Sequence, residues 1–268
     1  MNILIANDDG PGSEGLNTLQ TATKAAYPDA TIVTFVPRTP MGGQGLSVTP
    51  QRLDDFVVEE VAPHFYVCDA RPADLIYLAL GEPERFLNKG SFDLVLTGIN
   101  HGENIGMDVF HSGTVGMAML ASTFFGTAAV AFSQQCDHQE EMNSGKNSMQ
   151  PNDKIAFIRT FLRNGPRATG LCWNVNFPAS NPKGWKVCSV AYHSRFRPFK
   201  AEVRKTEGCD VTELERGFIV VSPLCLNVVP PLIQPLNTSA DAVLWAGELS
   251  NTCLNGFKNG VRSDSLPM

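Results

Sequence analysis

The chain has 268 residues, with 21 Lys and Arg against 27 Asp and Glu, and a formal net charge of -6. No basic excess exists to hold a phosphate backbone, which excludes a general nucleic-acid binder. Charged residues at 18% and hydrophobic ones at 43% describe a globular chain, and no apolar run approaches the ~20 residues that span a bilayer.

The start, Met1-Asn2-Ile3-Leu4-Ile5, lacks a basic segment and a cleavage site and reads as a strand rather than a signal peptide. Asn2 to Ala6 is a short apolar run of the kind that forms a buried parallel strand. Leu16, Leu19, Ala22 and Ala26 follow at helical spacing, and Pro28 closes that helix. Thr31 to Val36 is a second strand, and a Gly- and Pro-rich loop runs from Pro37 to Gly45. Phe56 to Val58 and Phe65 to Cys68 read as two short strands. Pro72 to Leu80 reads as a helix with Pro near its start. Asp93 to Thr97 is a strand, Gly98 to Gly113 a long loop, Thr114 to Phe124 an apolar helix, and Ala128 to Phe132 a strand. Gln134 to Asp153 reads as an exposed loop, and Ile155, Ile158, Phe161 and Leu162 mark a helix face. Asn174 to Phe177, Trp185 to Ala191 and Phe218 to Val221 are strand-like, and between Tyr192 and Arg216 the pattern weakens.

Such alternation predicts right-handed βαβ units in an α/β fold. The sheet is doubly wound, mostly parallel and Rossmann-like, over residues 1–229. Residues 230–268 read as a C-terminal extension or arm that packs on another subunit. The 7 cysteines are scattered, with no CxxC pair, and fit reduced thiols in a cytoplasm.

Three segments carry chemistry. Asn7-Asp8-Asp9-Gly10 directly follows the first strand. In open α/β sheets ligands bind at the carboxyl ends of strands, and two adjacent carboxylates there are hard oxygen ligands for Mg²⁺, Mn²⁺ or Ca²⁺. The same tetrapeptide also suits a plain turn. Asn100, in Thr97 to Gly106, offers a neutral oxygen after another buried strand, and Asn104 is an additional donor. In His111-Ser112-Gly113-Thr114, Ser112 or Thr114 can cap the following helix, whose N-terminus suits an anion such as phosphate. A flexible loop, Met41 to Ser47, follows strand two. It suits either an anion cradle or a turn. His101, His111 and His193 are candidate acids by position, and Arg195 and Arg197 are candidate anion contacts.

These segments together resemble the SurE (survival protein E) family of metal-dependent nucleoside 5'- and 3'-monophosphatases. The strand ending in N-D-D-G matches Ile3 to Gly10. The D-x-V-x-S-G-I-N-x-G-x-N-x-G run matches Asp93 to Gly106, with Thr97 for Ser. The Y-S-G-T-V segment matches His111 to Val115, with His111 in the aromatic place. The P-A-D segment matches Pro72 to Asp74, N-V-N-F-P matches Asn174 to Pro178, and a late strand matches Gly217 to Leu224. The resemblance implies a divalent cation, Mg²⁺ or Mn²⁺ (Ca²⁺ in crystals), on Asp8, Asp9, Asn100 and a Ser. Gly42 stands where the family carries that Ser and has no hydroxyl. Leu46 replaces a small polar residue or His. Asp8 and Asp9 are then the catalytic residues, and Asn7, Asn104, Ser112, Gly113 and Thr114 the substrate- and phosphate-binding set.

The resemblance further implies a cytoplasmic homodimer or homotetramer acting on a nucleoside monophosphate or another small phosphate ester, without nucleic acid or membrane. A noncatalytic nucleotide- or phosphate-binding protein is the alternative. A dinucleotide-binding oxidoreductase would need G-x-G-x-x-G after the first strand, and Asn7 to Gly15 does not supply it.

Overall fold

The computed structural model describes residues 1–136, 149–164, 171–191 and 207–224. Nine strands form one sheet: β1 (Asn2–Ala6), β2 (Thr31–Pro37), β3 (Val58–Ala62), β4 (Phe65–Cys68), β5 (Leu94–His101), β6 (Ala128–Gln134), β7 (Cys172–Phe177), β8 (Trp185–Val187) and β9 (Ile219–Leu224). Their order is β3-β4-β2-β1-β5-β6-β7-β9-β8. The six strands from β4 to β7 are mutually parallel, and β3 and β9 run antiparallel to their inner neighbours.

Alternation along each strand divides the core into two layers. Leu4, Ala6, Phe35, Val95, Ala129 and Ala131 face one way and are covered by helices α2 (Pro72–Gly81) and α3 (Gly113–Thr123). Ile3, Ile5, Leu96, Val130 and Phe132 face the other way, under α1 (Glu14–Ala26) and α4 (Pro151–Asn164). Strands buried on both faces read as continuous apolar runs, which is how β1 and β5 look in sequence. Ser13 caps α1 by accepting from the Leu16 N–H at 3.4 Å. Pro72 opens α2, where its missing N–H costs nothing. A fifth helix, α5 (Asp210–Glu215), packs Val211 and Leu214 with Cys188 and Val220 in a separate apolar cluster.

Several expectations need correction. The strand expected at Phe56 to Val58 runs from Val58 to Ala62 instead. Beyond the partly buried Val58 its side chains are exposed, Glu59 and Glu60 among them, so the edge strand shows no regular apolar alternation. The strand expected to stop at Thr97 continues to His101 through a register shift between Thr97 and Asn100. Gly98 allows this. Its φ is +108°, and a Cβ there would lie 2.1 Å from the Phe132 carbonyl oxygen. The expected loop from Gln134 to Asp153 includes the first turn of α4 and a buried Met149. Only Trp185–Val187 of the stretch to Ala191 is a strand, and α5 lies where the pattern weakened.

The β6–α4–β7 crossover departs from the expected handedness. α3 and α4 connect successive parallel strands in the same direction across the sheet, yet lie on opposite faces. The two crossovers therefore have opposite hands. The first three match one another, so α4 breaks the right-handed rule. The packing supplies the reason. Phe132, Trp173 and Phe177 crowd the α1 face, and Phe157 and Phe161 of α4 cover them.

From β1 the chain passes through α1 to β2 on one side. It later returns through α2 to β5 on the other side of β1. The carboxyl ends of β1 and β5 thus flank the point where the strand order reverses, where an open α/β sheet leaves a crevice.

Candidate active site

The turn after β1 is built by Asn7. Its Nδ2 donates to the Gly10 carbonyl at 3.0 Å, and its Oδ1 accepts from the Gly10 N–H at 3.2 Å. Asn7 is fully buried. Asn7, expected at phosphate, thus folds the turn that carries Asp8 and Asp9.

Asp8 is 2% exposed. Thr114 donates its hydroxyl to Asp8 Oδ1, and that same hydroxyl lies 3.3 Å from Asn100 Oδ1. One hydroxyl proton cannot serve both oxygens, so two acceptors from β1 and β5 converge with one donor between them. Burial pushes the Asp8 carboxyl up to about 6, against the hydrogen bonds from Thr114 that pull it down, and the neighbouring Asp9 raises it further. Desolvation outweighs the favourable dipole of the adjacent α3 N-terminus. Asp9 is half-buried, and its Oδ2 accepts from the His101 N–H at 3.3 Å. Burial raises its carboxyl too, while the His101 amide and charge lower it.

Ser112 caps α3: its Oγ accepts from the Val115 N–H at 3.0 Å. The hydroxyl proton of Ser112 stays available to an anion. Gly113 stands against Asp8, so the Asp8-Asp9 turn and the helix end form one site. Thr114, expected at phosphate, turns to Asp8 instead, and Thr97 Oγ1 donates to the Thr114 carbonyl at 2.8 Å. That bond needs a hydroxyl on β5, which Thr97 supplies as well as Ser would.

Asn104, expected as a substrate donor, is buried and committed to the framework. Its Nδ2 donates to Ser133 Oγ at 2.9 Å, and its N–H donates to Asn176 Oδ1 at 2.8 Å. Its carbonyl accepts from Asn174 Nδ2 at 2.7 Å and from Asn176 Nδ2 at 3.1 Å. Asn174 and Asn176, two apart on β7, share a face and pin the loop that follows Asn100. Sequence reasoning found these residues only as part of a motif. The signal was two Asn at period two inside an apolar strand, which a buried strand tolerates only with partners.

Gly42 lies in the loop after β2, beside Met41, whose N–H donates to the Asp8 carbonyl at 2.7 Å. It is exposed, its φ is not in the left-handed region, and a Cβ there would meet nothing within 4 Å. The other end of the loop is tied down as the Gly45 N–H donates to the His111 carbonyl at 3.0 Å. Beyond it, Asp74 of α2 accepts from the Thr49 N–H at 3.0 Å and from the Thr49 hydroxyl at 2.7 Å, an anchor that sequence reasoning also missed. His101 and His111 are exposed at the rim, while His193, Arg195 and Arg197 lie outside the described residues.

The donor set fits a hard divalent cation. Asp8, Asp9 and Asn100 present oxygen only, and the two carboxylates form no ion pair with Lys or Arg among the described residues. Among those residues no three His, Cys, Asp or Glu side chains gather, so the set depends on the Asn100 amide oxygen. No thiol takes part, which disfavours a soft metal.

Fold and site define a doubly wound α/β protein with an oxygen-ligand site at its switch point, joined to a helix N-terminus suited to phosphate. The family model described as "Survival protein SurE" matches residues 3–197, and the chain belongs to that family. It is similar to "5'-nucleotidase SurE" of Campylobacter jejuni, 33% identical over 246 residues, covering 84% of this chain and 92% of that one. A protein of the same description from Parasynechococcus marenigrum is 41% identical over 199 residues, covering 71% of this chain and 70% of that one. The crystal structure of the SurE protein from Aquifex aeolicus superposes with a TM-score of 0.67 at 28% identity, covering 90% of this chain and 100% of that chain.

Proposed function

We propose that this chain is a metal-dependent phosphomonoesterase that hydrolyses nucleoside 5'- or 3'-monophosphates to nucleoside and phosphate. The observation that carries the reading is the convergence of Asp8, Asn100 and the start of α3 on one hydroxyl, that of Thr114. Relatives over most of the chain are described as 5'-nucleotidases, which supports the substrate class.

Asp8, Asp9 and Asn100 hold the divalent cation, with Mg²⁺ or Mn²⁺ expected from the oxygen-only set. When bound, such an ion supplies positive charge to a phosphoryl oxygen and lowers the pKa of a water. Thr114 holds Asp8 Oδ1 in place. With both carboxylates committed to the ion in this reading, attack by Asp8 or Asp9 on phosphorus ranks below attack by water, and Asp9 is the more open of the two carboxylates. Ser112 donates its hydroxyl to a phosphate oxygen, and the Gly113 N–H, unpaired within the helix's first turn, donates to another. Positioning and charge carry the reaction.

The expected C-terminal arm, 230–268, lies outside the described residues. A cytoplasmic homodimer or homotetramer is part of this proposal. Among the described residues no helix is long and apolar enough to cross a membrane.

A noncatalytic phosphate-binding role is the second reading, favoured by the bare Gly42. Phosphate release from a panel of nucleoside monophosphates, sugar phosphates and short polyphosphates, with Mg²⁺ or Mn²⁺, separates the two. Turnover highest on a nucleoside monophosphate supports the proposal. Tight binding without release favours the second reading.

A further inference from the structure

Two exposed apolar side chains lie on the segments that adjoin the start of α3, and phosphate chemistry does not use them. Phe110 is 56% exposed, and Leu46 is 44% exposed. Phe110 ends the short 3-10 turn Gly106–Phe110 that leads directly into the Ser112 cap. Its backbone is fixed from the other side. The Gly45 N–H donates to the His111 carbonyl at 3.0 Å, and a Cβ on Gly45 would lie 2.8 Å from the Phe110 carbonyl oxygen. Leu46 follows Gly45 and leans onto the first turn of α3, its Cδ2 3.4 Å from where a Cβ on Gly116 would stand. An aromatic and an aliphatic side chain thus stand on two segments that are pinned together beside the start of α3.

Exposing a Phe to water costs free energy unless something covers it. Phe110 lies two residues before Ser112, so its Cα is within about 7 Å of the Ser112 Cα. A nucleoside monophosphate held by phosphate at Ser112 and Gly113 projects its base outward by one sugar ring, a similar reach. Every nucleobase has a π-face, and stacking on an aromatic ring is tolerant of sequence.

We propose that Phe110, with Leu46 beside it, is the platform on which the nucleobase rests, and so sets the preference for nucleotides over base-free phosphate esters. This rests on the reading of α3's start as the phosphate site. The side chains of Leu46 and Phe110 offer one aromatic ring and no hydrogen-bonding group for a base edge. The pair accordingly favours nucleotides as a class, with weak discrimination between bases.

The test is calorimetric binding of adenosine 5'-monophosphate and ribose 5-phosphate to the full chain with Mg²⁺. Wild type, Phe110→Ala and Phe110→Trp are compared. The nucleotide should bind wild type more tightly than the sugar phosphate. Phe110→Ala should cut that ratio about tenfold, the order that base–aromatic stacking gives, and Phe110→Trp should keep it. Equal affinity of wild type for both ligands overturns the platform. So does an unchanged ratio in Phe110→Ala, or a change in sedimentation alone, which would make this face a contact between copies. Failure of wild type to bind either ligand overturns the phosphate-site reading itself.

Discussion

Gly113, the first residue of α3, stands against the carboxylate of Asp8: a Cβ in its place would lie 2.6 Å from Asp8 Oδ2 and 3.2 Å from Asp8 Cβ. Helix propensity alone favours Ala over Gly by about 1 kcal/mol. The glycine is therefore required by its close approach to Asp8 and to Pro72 of α2, whose Cγ would lie 2.9 Å from that Cβ, and not by helix propensity. Gly113→Ala should weaken Mg²⁺ or Mn²⁺ binding by at least about tenfold, the equivalent of one lost polar contact of about 1.4 kcal/mol, and reduce turnover further. Metal titration read beside thermal unfolding checks this. Unchanged affinity would mean that Asp8 does not point to the ion.

Asp8 makes the site sensitive to pH. Its carboxyl is pushed up to about 6 in the folded chain, from an ordinary 3.8. The metal-free native state therefore holds this proton more tightly than the unfolded chain does. The stability from this group is fully present at low pH and is lost as pH rises through about 6, by roughly 3 kcal/mol. Protons and metal compete for the same oxygens, so metal affinity should climb as pH rises through about 6. Chelated wild type should lose stability relative to Asp8→Asn between pH 4 and pH 7 in urea unfolding. A flat difference across that range would contradict the burial argument.

Gly42 offers a gain-of-function test. Its φ is not left-handed and its missing Cβ faces open space, so Gly42→Ser adds no strain. Met41 beside it is tied to the Asp8 carbonyl, which brings the new hydroxyl to the edge of the site. Gly42→Ser should raise metal affinity about fivefold, or ~1 kcal/mol, at unchanged thermal stability. The neighbouring Gly43→Ser is the control, because its φ is +75° and a side chain there is strained. Equal stability of Gly42→Ser with no gain in affinity would place Gly42 away from the ion.

The loop after Asn100 depends on β7. Asn176→Ala leaves the buried Asn104 N–H without its acceptor, at a cost of about 1–3 kcal/mol. Urea unfolding should show that loss, and turnover should fall as Asn100 shifts. Unchanged stability would mean that water replaces the amide.

Much of this was legible in the sequence, for physical reasons. Ile3, Leu4, Ile5 and Ala6 are buried on both faces, so β1 declared itself as an apolar run, and Asn7 to Gly10 as a turn. β3 was displaced because Glu59, Glu60 and Val61 are exposed on an edge strand, where pairing is set by the backbone and not by the side chains. The continuation of β5 to His101 was hidden by Gly98, which reads as a loop residue but is there for clearance from Phe132. α5 was missed because it is short and packs in its own small cluster. At the site, Asp8, Asp9 and Asn100 could be named from type and position. The framework bonds of Asn7, Asn104 and Thr114 could not be read there, because they depend on which polar atoms the fold pairs.

The most direct test is phosphate release from a nucleoside 5'-monophosphate by wild type and Asp9→Asn, each with Mn²⁺ and with a chelator. Asp9 is the more open of the two carboxylates and, among the described residues, accepts from the His101 N–H, so Asn at that position should leave the fold intact. The account predicts release by wild type with metal, its loss on chelation, and a fall of at least about a hundredfold in Asp9→Asn with unchanged thermal unfolding, the scale of losing one charged ligand. Release that persists in the chelator, or a folded Asp9→Asn with wild-type turnover, would contradict it.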